Sequence, residues 1–161
     1  MNPGKIEVAQ KAGVYVIKLS GDVRLNLCSA LERYLDQMFL DGEFKTVLVD
    51  LSDAEGVDST TLGQLAKISI VSQDQFGLVP TIISPREDIT RILLSMGFDR
   101  VFYIIGEMPA QISDLDELSC EQLDEEQMRE KVIAAHEILI SLNEDNKNAF
   151  QELVDCLQSK R

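Results

Sequence analysis

The chain has 161 residues and a mass of 18.0 kDa, room for one domain of ordinary size and an appendage. Hydrophobic residues make up 45% and charged residues 27%, a balance that supports a folded core and argues against wholesale disorder. Lys and Arg number 15 against 28 Asp and Glu, a net charge of −13, so the clustered cations that nucleic acid or an anionic membrane surface demand are lacking and neither is expected as a partner.

No apolar run approaches the roughly 20 residues that cross a bilayer. The N-terminal stretch Met1 to Gly13 lacks the apolar segment of a secretion signal, so a soluble protein of the cytoplasm is expected. The three cysteines, Cys28, Cys120 and Cys156, are widely spaced and odd in number. They suit neither a disulfide framework nor a zinc site, and each is expected to serve as a small buried or half-buried apolar residue. His136 is the only histidine, which leaves a metal cluster or a Ser/His catalytic pair little to build on; it is expected on a surface helix.

Residues 1–106 carry 10 basic and 14 acidic side chains, residues 107–161 carry 5 and 14, and the composition shifts near Gly106 to Pro109. A boundary is expected there, with a domain before it and an acidic linker and helical extension after it. Val14 to Leu19, apolar and β-branched, predicts the opening strand, closed by Gly21-Asp22. Leu27, Ala30, Leu31, Leu35, Met38 and Phe39 recur at helical spacing, with Asn26 as the expected N-cap. Thr46 to Leu51 is nearly all apolar, the signature of a strand covered on both faces. Ser52 to Asp58 is expected to be a loop, followed by a helix bearing Leu62, Leu65, Ala66 and Ser69. Leu78 to Ser84 predicts a short strand, Ile89 to Met96 a helix ending near Gly97, and Val101 to Ile105 a last strand.

Strands alternating with helices predict an α/β domain with a largely parallel sheet. In the tail, Leu115 to Cys120 is expected to be a linker or turn. Met128, Val132, Ala135, Leu139 and Leu142 define one amphipathic helix; Asn143 to Asn148 interrupts it, and Phe150, Leu153, Val154 and Leu157 define a second. Such a hairpin needs a surface for its apolar faces. The domain itself, a second copy or another protein could supply it, and packing on the domain is the simplest outcome.

Catalytic signals are scarce: the sequence contains no phosphate loop, no GxGxxG, no HExxH and no GxSxG. No enzyme activity, catalytic residue, cofactor or metal is expected. One stretch stands out, Gly56-Val57-Asp58-Ser59-Thr60-Thr61-Leu62-Gly63, which follows a buried strand and opens a helix. Asp58 and Ser59 suit simple capping of the helix start. The same place suits a phosphorylated hydroxyl, because unpaired backbone N–H groups and the positive end of the helix dipole meet there.

The chain resembles the STAS domains of bacterial anti-sigma factor antagonists from about Gly13 to Ile105. The features are Leu19-Ser20-Gly21-Asp22-Val23, the apolar strand Thr46 to Leu51, Asp58-Ser59-Thr60 with Leu62-Gly63, and Ser84-Pro85 followed by Ile92, Leu93, Gly97 and Phe98. Individually unspecific, they are telling in order and spacing. The resemblance implies a STAS-like α/β fold, with helices packed on a mixed, mostly parallel sheet; the helical hairpin from Glu107 onward lies outside it.

It further implies that Ser59 is phosphorylated by a serine kinase, often the anti-sigma factor itself, and restored by a PP2C-type phosphatase. The unphosphorylated form would bind the anti-sigma factor and free the sigma factor. Asp58, Thr60 and Thr61 would frame the site, with Asp22, Arg24, Asn26 and the first helix in the docking face. Thr61 stands where many members have Gly, and Arg24 where many have an acidic residue. A rival expectation is a constitutive scaffold or assembly subunit that binds through the C-terminal helices, which could equally mediate a homodimer.

Overall fold

Ile6 and Val8 alternate with Lys5 and Glu7 and build β1 (Lys5–Lys11), with both apolar side chains turned into the core. A two-residue turn, Ala12-Gly13, joins it to β2 (Val14–Val23), and both turn residues have positive φ, +53° and +84°. That geometry matches the twist of the antiparallel pair, in which Lys11 faces Val14. The expected opening strand at Val14 is therefore the second strand. Two inward apolar residues at β1 were too short a signal.

The computed structural model describes residues 2–107 and 115–159. After β2 come α1 (Cys28–Leu40), β3 (Thr46–Val57), α2 (Ser59–Phe76), β4 (Thr81–Ile83), α3 (Glu87–Ser95) and β5 (Tyr103–Ile105). The tail adds β6 (Asp116–Glu117), α4 (Glu125–Leu142) and α5 (Glu144–Gln158). The sheet order is β5-β4-β3-β2-β1-β6, parallel from β2 through β5 and antiparallel at β1 and β6. This is the expected α/β class with a mixed, mostly parallel sheet.

Register explains where the core sits. Val8, Ile17, Val49, Ile82 and Ile104 form one row across five strands, and the first four are buried. They pack with Leu31 and Leu35 of α1, Leu62, Leu65 and Ile68 of α2, and Leu93 of α3. In the adjacent row, which faces the other way, Leu48 and Thr81 are half-buried and Tyr103 is 64% exposed. Val16, Asp50 and Ile83 on that side are nonetheless buried, so the second face is covered in part and the expectation for β3 holds in part. An unbroken apolar run records hydropathy and leaves the second cover undetermined.

The expected loop at Ser52 to Asp58 is also corrected, because β3 runs on to Val57. Its polar end pairs with the extension of β2 in a bulged ladder, Ser20 with Asp53 and Asp22 with Gly56. Ala54 is the only apolar residue between Leu51 and Val57, and Lys18 meets Asp53 at 2.9 Å. Asn26 does not cap α1. A 3-10 turn at Leu25–Leu27 leads into that helix, whose N-cap is Leu27 with no side-chain hydrogen bond.

In the tail, β6 pairs with the edge of β1 where a linker was expected. The interruption between the tail helices shrinks to Asn143, which ends α4 and caps α5 by accepting the Asn146 N–H at 2.8 Å. Its acidic followers, Glu144 and Asp145, form the first turn of α5, where they suit the helix dipole. Helix α4 packs on α2 and buries Ile133, Ala135, His136 and Leu139; α5 folds back onto α4. Asn146, 2% exposed, donates to the carbonyls of Met96 and Leu139, both at 2.9 Å.

Cys28 is buried, as expected, whereas Cys120 and Cys156 are exposed and correct that expectation. Burial pushes the Cys28 thiol up to about 11, against the opposing effect of the nearby Thr61 hydroxyl. A thiol reagent such as Ellman's should therefore modify two cysteines of the native protein promptly and the third only on denaturation. Three prompt equivalents would contradict this packing.

Candidate functional site: the start of helix α2

Asp58 sits between β3 and α2 in an extended conformation (φ −76°, ψ 166°). One carboxylate oxygen accepts the Thr61 N–H at 2.8 Å, which caps α2. The other accepts the Leu25 N–H at 2.8 Å, 33 residues away. One side chain thus ties the start of α2 to the turn before α1. This also explains the missing Asn26 cap: a long-range carboxylate has taken up a backbone donor of that turn.

The ends of β2 and β3 place the remaining polar residues around this point. Arg24 Nε meets Asp22 Oδ2 at 2.6 Å, so the cation that stands where an acid is common is paired within the site. Asp22 packs close to Gly56, where an added Cβ would come within 2.7 Å of Asp22 Oδ1. Asn26 is exposed, and its carbonyl accepts from the Cys120 thiol at 3.1 Å. Asp22, Arg24, Asn26, Asp58 and Ser59 therefore share one rim. Thr60 and Thr61 lie behind it, 5% and 1% exposed, with the Thr61 hydroxyl 3.6 Å from Cys28 Sγ.

Ser59 opens α2, half-buried, and its hydroxyl lies 2.7 Å from His136 Nε2 on α4. The other ring nitrogen, Nδ1, lies 2.7 Å from the Val132 carbonyl oxygen. A carbonyl only accepts, so Nδ1 carries the proton; in the neutral ring Nε2 is then the acceptor and Ser59 the donor. The ring edge packs on Phe150, with centroids 4.9 Å apart. His136 is 2% exposed, which corrects its expected place on a surface helix.

His136 and its helix are what sequence reasoning missed. A signal existed: His136 continues the stripe of Ile133 and Leu139 in steps of three, the side a packed helix turns inward. Its partner across 77 residues was invisible. The seat of α4 is marked by Gly63, where an added Cβ would stand 2.4 Å from the Ala135 carbonyl oxygen and 2.6 Å from its Cβ. Lys131 meets Glu32 of α1 at 2.5 Å, and Arg33 meets Glu121 at 2.5 Å. Among the described residues no group of three His, Cys, Asp or Glu side chains could hold a metal ion.

Asp58→Ala removes a cap and leaves the Leu25 and Thr61 N–H groups without their acceptor. Loss of an N-cap typically costs about 0.5–2 kcal/mol. A lowered denaturation midpoint, corresponding to a loss of stability of that order, is expected, with Asp58→Asn, which retains one acceptor oxygen, falling between. An unchanged midpoint for Asp58→Ala would contradict the double role.

Comparisons with known proteins bear on the domain that carries this site. The family profile described as "Mlab, STAS domain" matches residues 6–106. A Thermotoga neapolitana protein named as an anti-sigma factor antagonist is 30% identical over 102 residues, which span 62% of this chain and 89% of that protein. Among solved structures, the anti-sigma factor antagonist SpoIIAA in its unphosphorylated form superposes with a TM-score of 0.54 at 10% identity, over 64% of this chain and 89% of its own. An anti-sigma factor antagonist from Mycobacterium paratuberculosis gives 0.54 at 23% identity, over 66% and 88%. The matched sequence span, the strand order and the polar helix start after β3 lead to one assignment: this chain belongs to the STAS domain family, among homologues named anti-sigma factor antagonists.

Proposed function

We propose that this protein is a phosphorylation-switched anti-sigma factor antagonist of the cytoplasm, with Ser59 as the switch. Unphosphorylated, it binds an anti-sigma factor; phosphorylated by a serine kinase, often that same partner, it releases it, and a PP2C-type phosphatase resets it. The observation that carries this reading is the position of Ser59: a hydroxyl at the first residue of α2, on the rim it shares with Asp58, Asp22, Arg24 and Asn26. Helix starts accommodate anions, and phosphorylation adds roughly −1.5 to −2 charge. Placed beside Asp58 and Asp22, that charge repels an acidic partner surface and raises the desolvation cost of any partner. Each 1.4 kcal/mol lost weakens binding about tenfold, so a penalty of a few kcal/mol turns binding off.

The protein acts on this account by binding rather than by catalysis. The Ser59–His136 pair has the atoms of a nucleophile and its base, but the imidazole is buried between two helices and its free edge lies on Phe150. A scaffold or dimer built through the C-terminal helices is less favoured, because Ile133, Ala135 and Leu139 are already spent on packing within the chain.

Intact-mass spectrometry after incubation with the cognate kinase tests the site. The wild type should gain one phosphate and Ser59→Ala none. In calorimetry against the anti-sigma factor, the phosphorylated form should bind at least tenfold more weakly. Full phosphate on Ser59→Ala, or equal affinity of the two forms, would overturn the reading.

A further inference from the structure

The strongest unabsorbed feature of the molecule is the contact between α4 and the start of α2. Two helices rarely touch backbone to backbone unless small residues stand between them, and here Gly63 and Ala135 do. That approach brings His136 onto Ser59 at 2.7 Å. A phosphoryl group on Ser59 Oγ would add phosphorus and three oxygens to a half-buried hydroxyl that already lies 2.7 Å from His136 Nε2. The imidazole cannot move aside freely, since Nδ1 is held by Val132 of the same helix and its edge abuts Phe150.

Beyond that contact, Leu139 of α4 joins the core cluster, β6 pairs with β1, and several polar contacts tie the tail to the domain. Lys131 pairs with Glu32, Arg33 with Glu121, and Asn143 and Asn146 both donate to the Met96 carbonyl. Both ion-pair partners of Lys131 and Glu32 retain solvent access, a setting in which such pairs contribute little. The core cluster is built mainly from β2, β3, α1 and the inner side of α2, and Leu139 of α4 extends it. Helix α4 lies between α2 and α5, seated on the Ser59 face.

We infer that α4 is an intramolecular cover of the Ser59 face: it must undock before Ser59 is modified or a partner seats there, and phosphate on Ser59 in turn holds it off. This rests on the reading of Ser59 as the modified residue. The coupling is reciprocal, so whatever factor docking takes from phosphorylation, phosphate takes from docking. A partner that competes with α4 sees its affinity reduced by the fraction of molecules in which the helix is open.

The test uses the full chain with phosphoserine installed at position 59 during translation, compared with the unmodified chain and with Ala135→Arg, by hydrogen exchange and mass spectrometry. Amides of 127–142 are expected to exchange at least tenfold faster in both altered chains, while β2 and β3 keep their protection. Protection of α4 that is unchanged by the phosphate would overturn the inference. So would increased protection, which would mean that a protonated His136 clamps the phosphate, or loss of β2 and β3 protection together with α4, which would make α4 part of the core. Because the phosphate is installed without a kinase, this outcome is separate from whether cells modify Ser59.

Discussion

The absence of a side chain at Gly63 sets the geometry on which the site depends. With a Cβ there, the Ala135 carbonyl would stand at 2.4 Å, well inside contact distance, and α4 could not sit where it does. Ser59 precedes Gly63 by one helical turn, so the same face of α2 presents both. On α4 the facing positions are Ala135 and its neighbour His136, with the Val132 carbonyl one turn back to orient the ring. One bare backbone position therefore fixes the distance from a serine hydroxyl to an imidazole nitrogen.

Asp58 supplies the other half of the arrangement. Its two oxygens hold the start of α2 and the turn before α1 in one piece, through bonds that involve no residue of α4. The matched relatives cover 62% to 66% of this chain, essentially the domain. The tail adds something to that common plan: an acidic helix pair laid over the face on which a family switch would operate. Residues 107–161 carry 14 acidic and 5 basic side chains, so the tail as a whole is strongly negative.

Much of the fold was legible because its signals are local. The helical stripe through Leu31 and Leu35, the apolar strand from Thr46 to Leu51 and the polar helix start at Asp58 each announce themselves within a dozen residues. What escaped depended on partners far along the chain. The end of β3 is a strand because β2 extends beside it, and β1 is a strand because the Ala12-Gly13 turn folds it onto Val14. Cys120 and Cys156 look apolar in composition but fall on outer surfaces. The position of Ser59 at a helix start was readable; its bond to His136 was not, since hydropathy marks which face of α4 turns inward but not which residue of α2 it meets.

Because His136 is the only histidine, its ring nitrogens give a single pair of signals in a nitrogen-15 spectrum of the full chain. At a pH where the ring is neutral, the account predicts a fixed tautomer with the proton on Nδ1, slow exchange of that proton, and a clear shift of the Nε2 signal on Ser59→Ala. A ring that averages both tautomers as free imidazole does, and that is indifferent to Ser59→Ala, would show that α4 does not hold the serine.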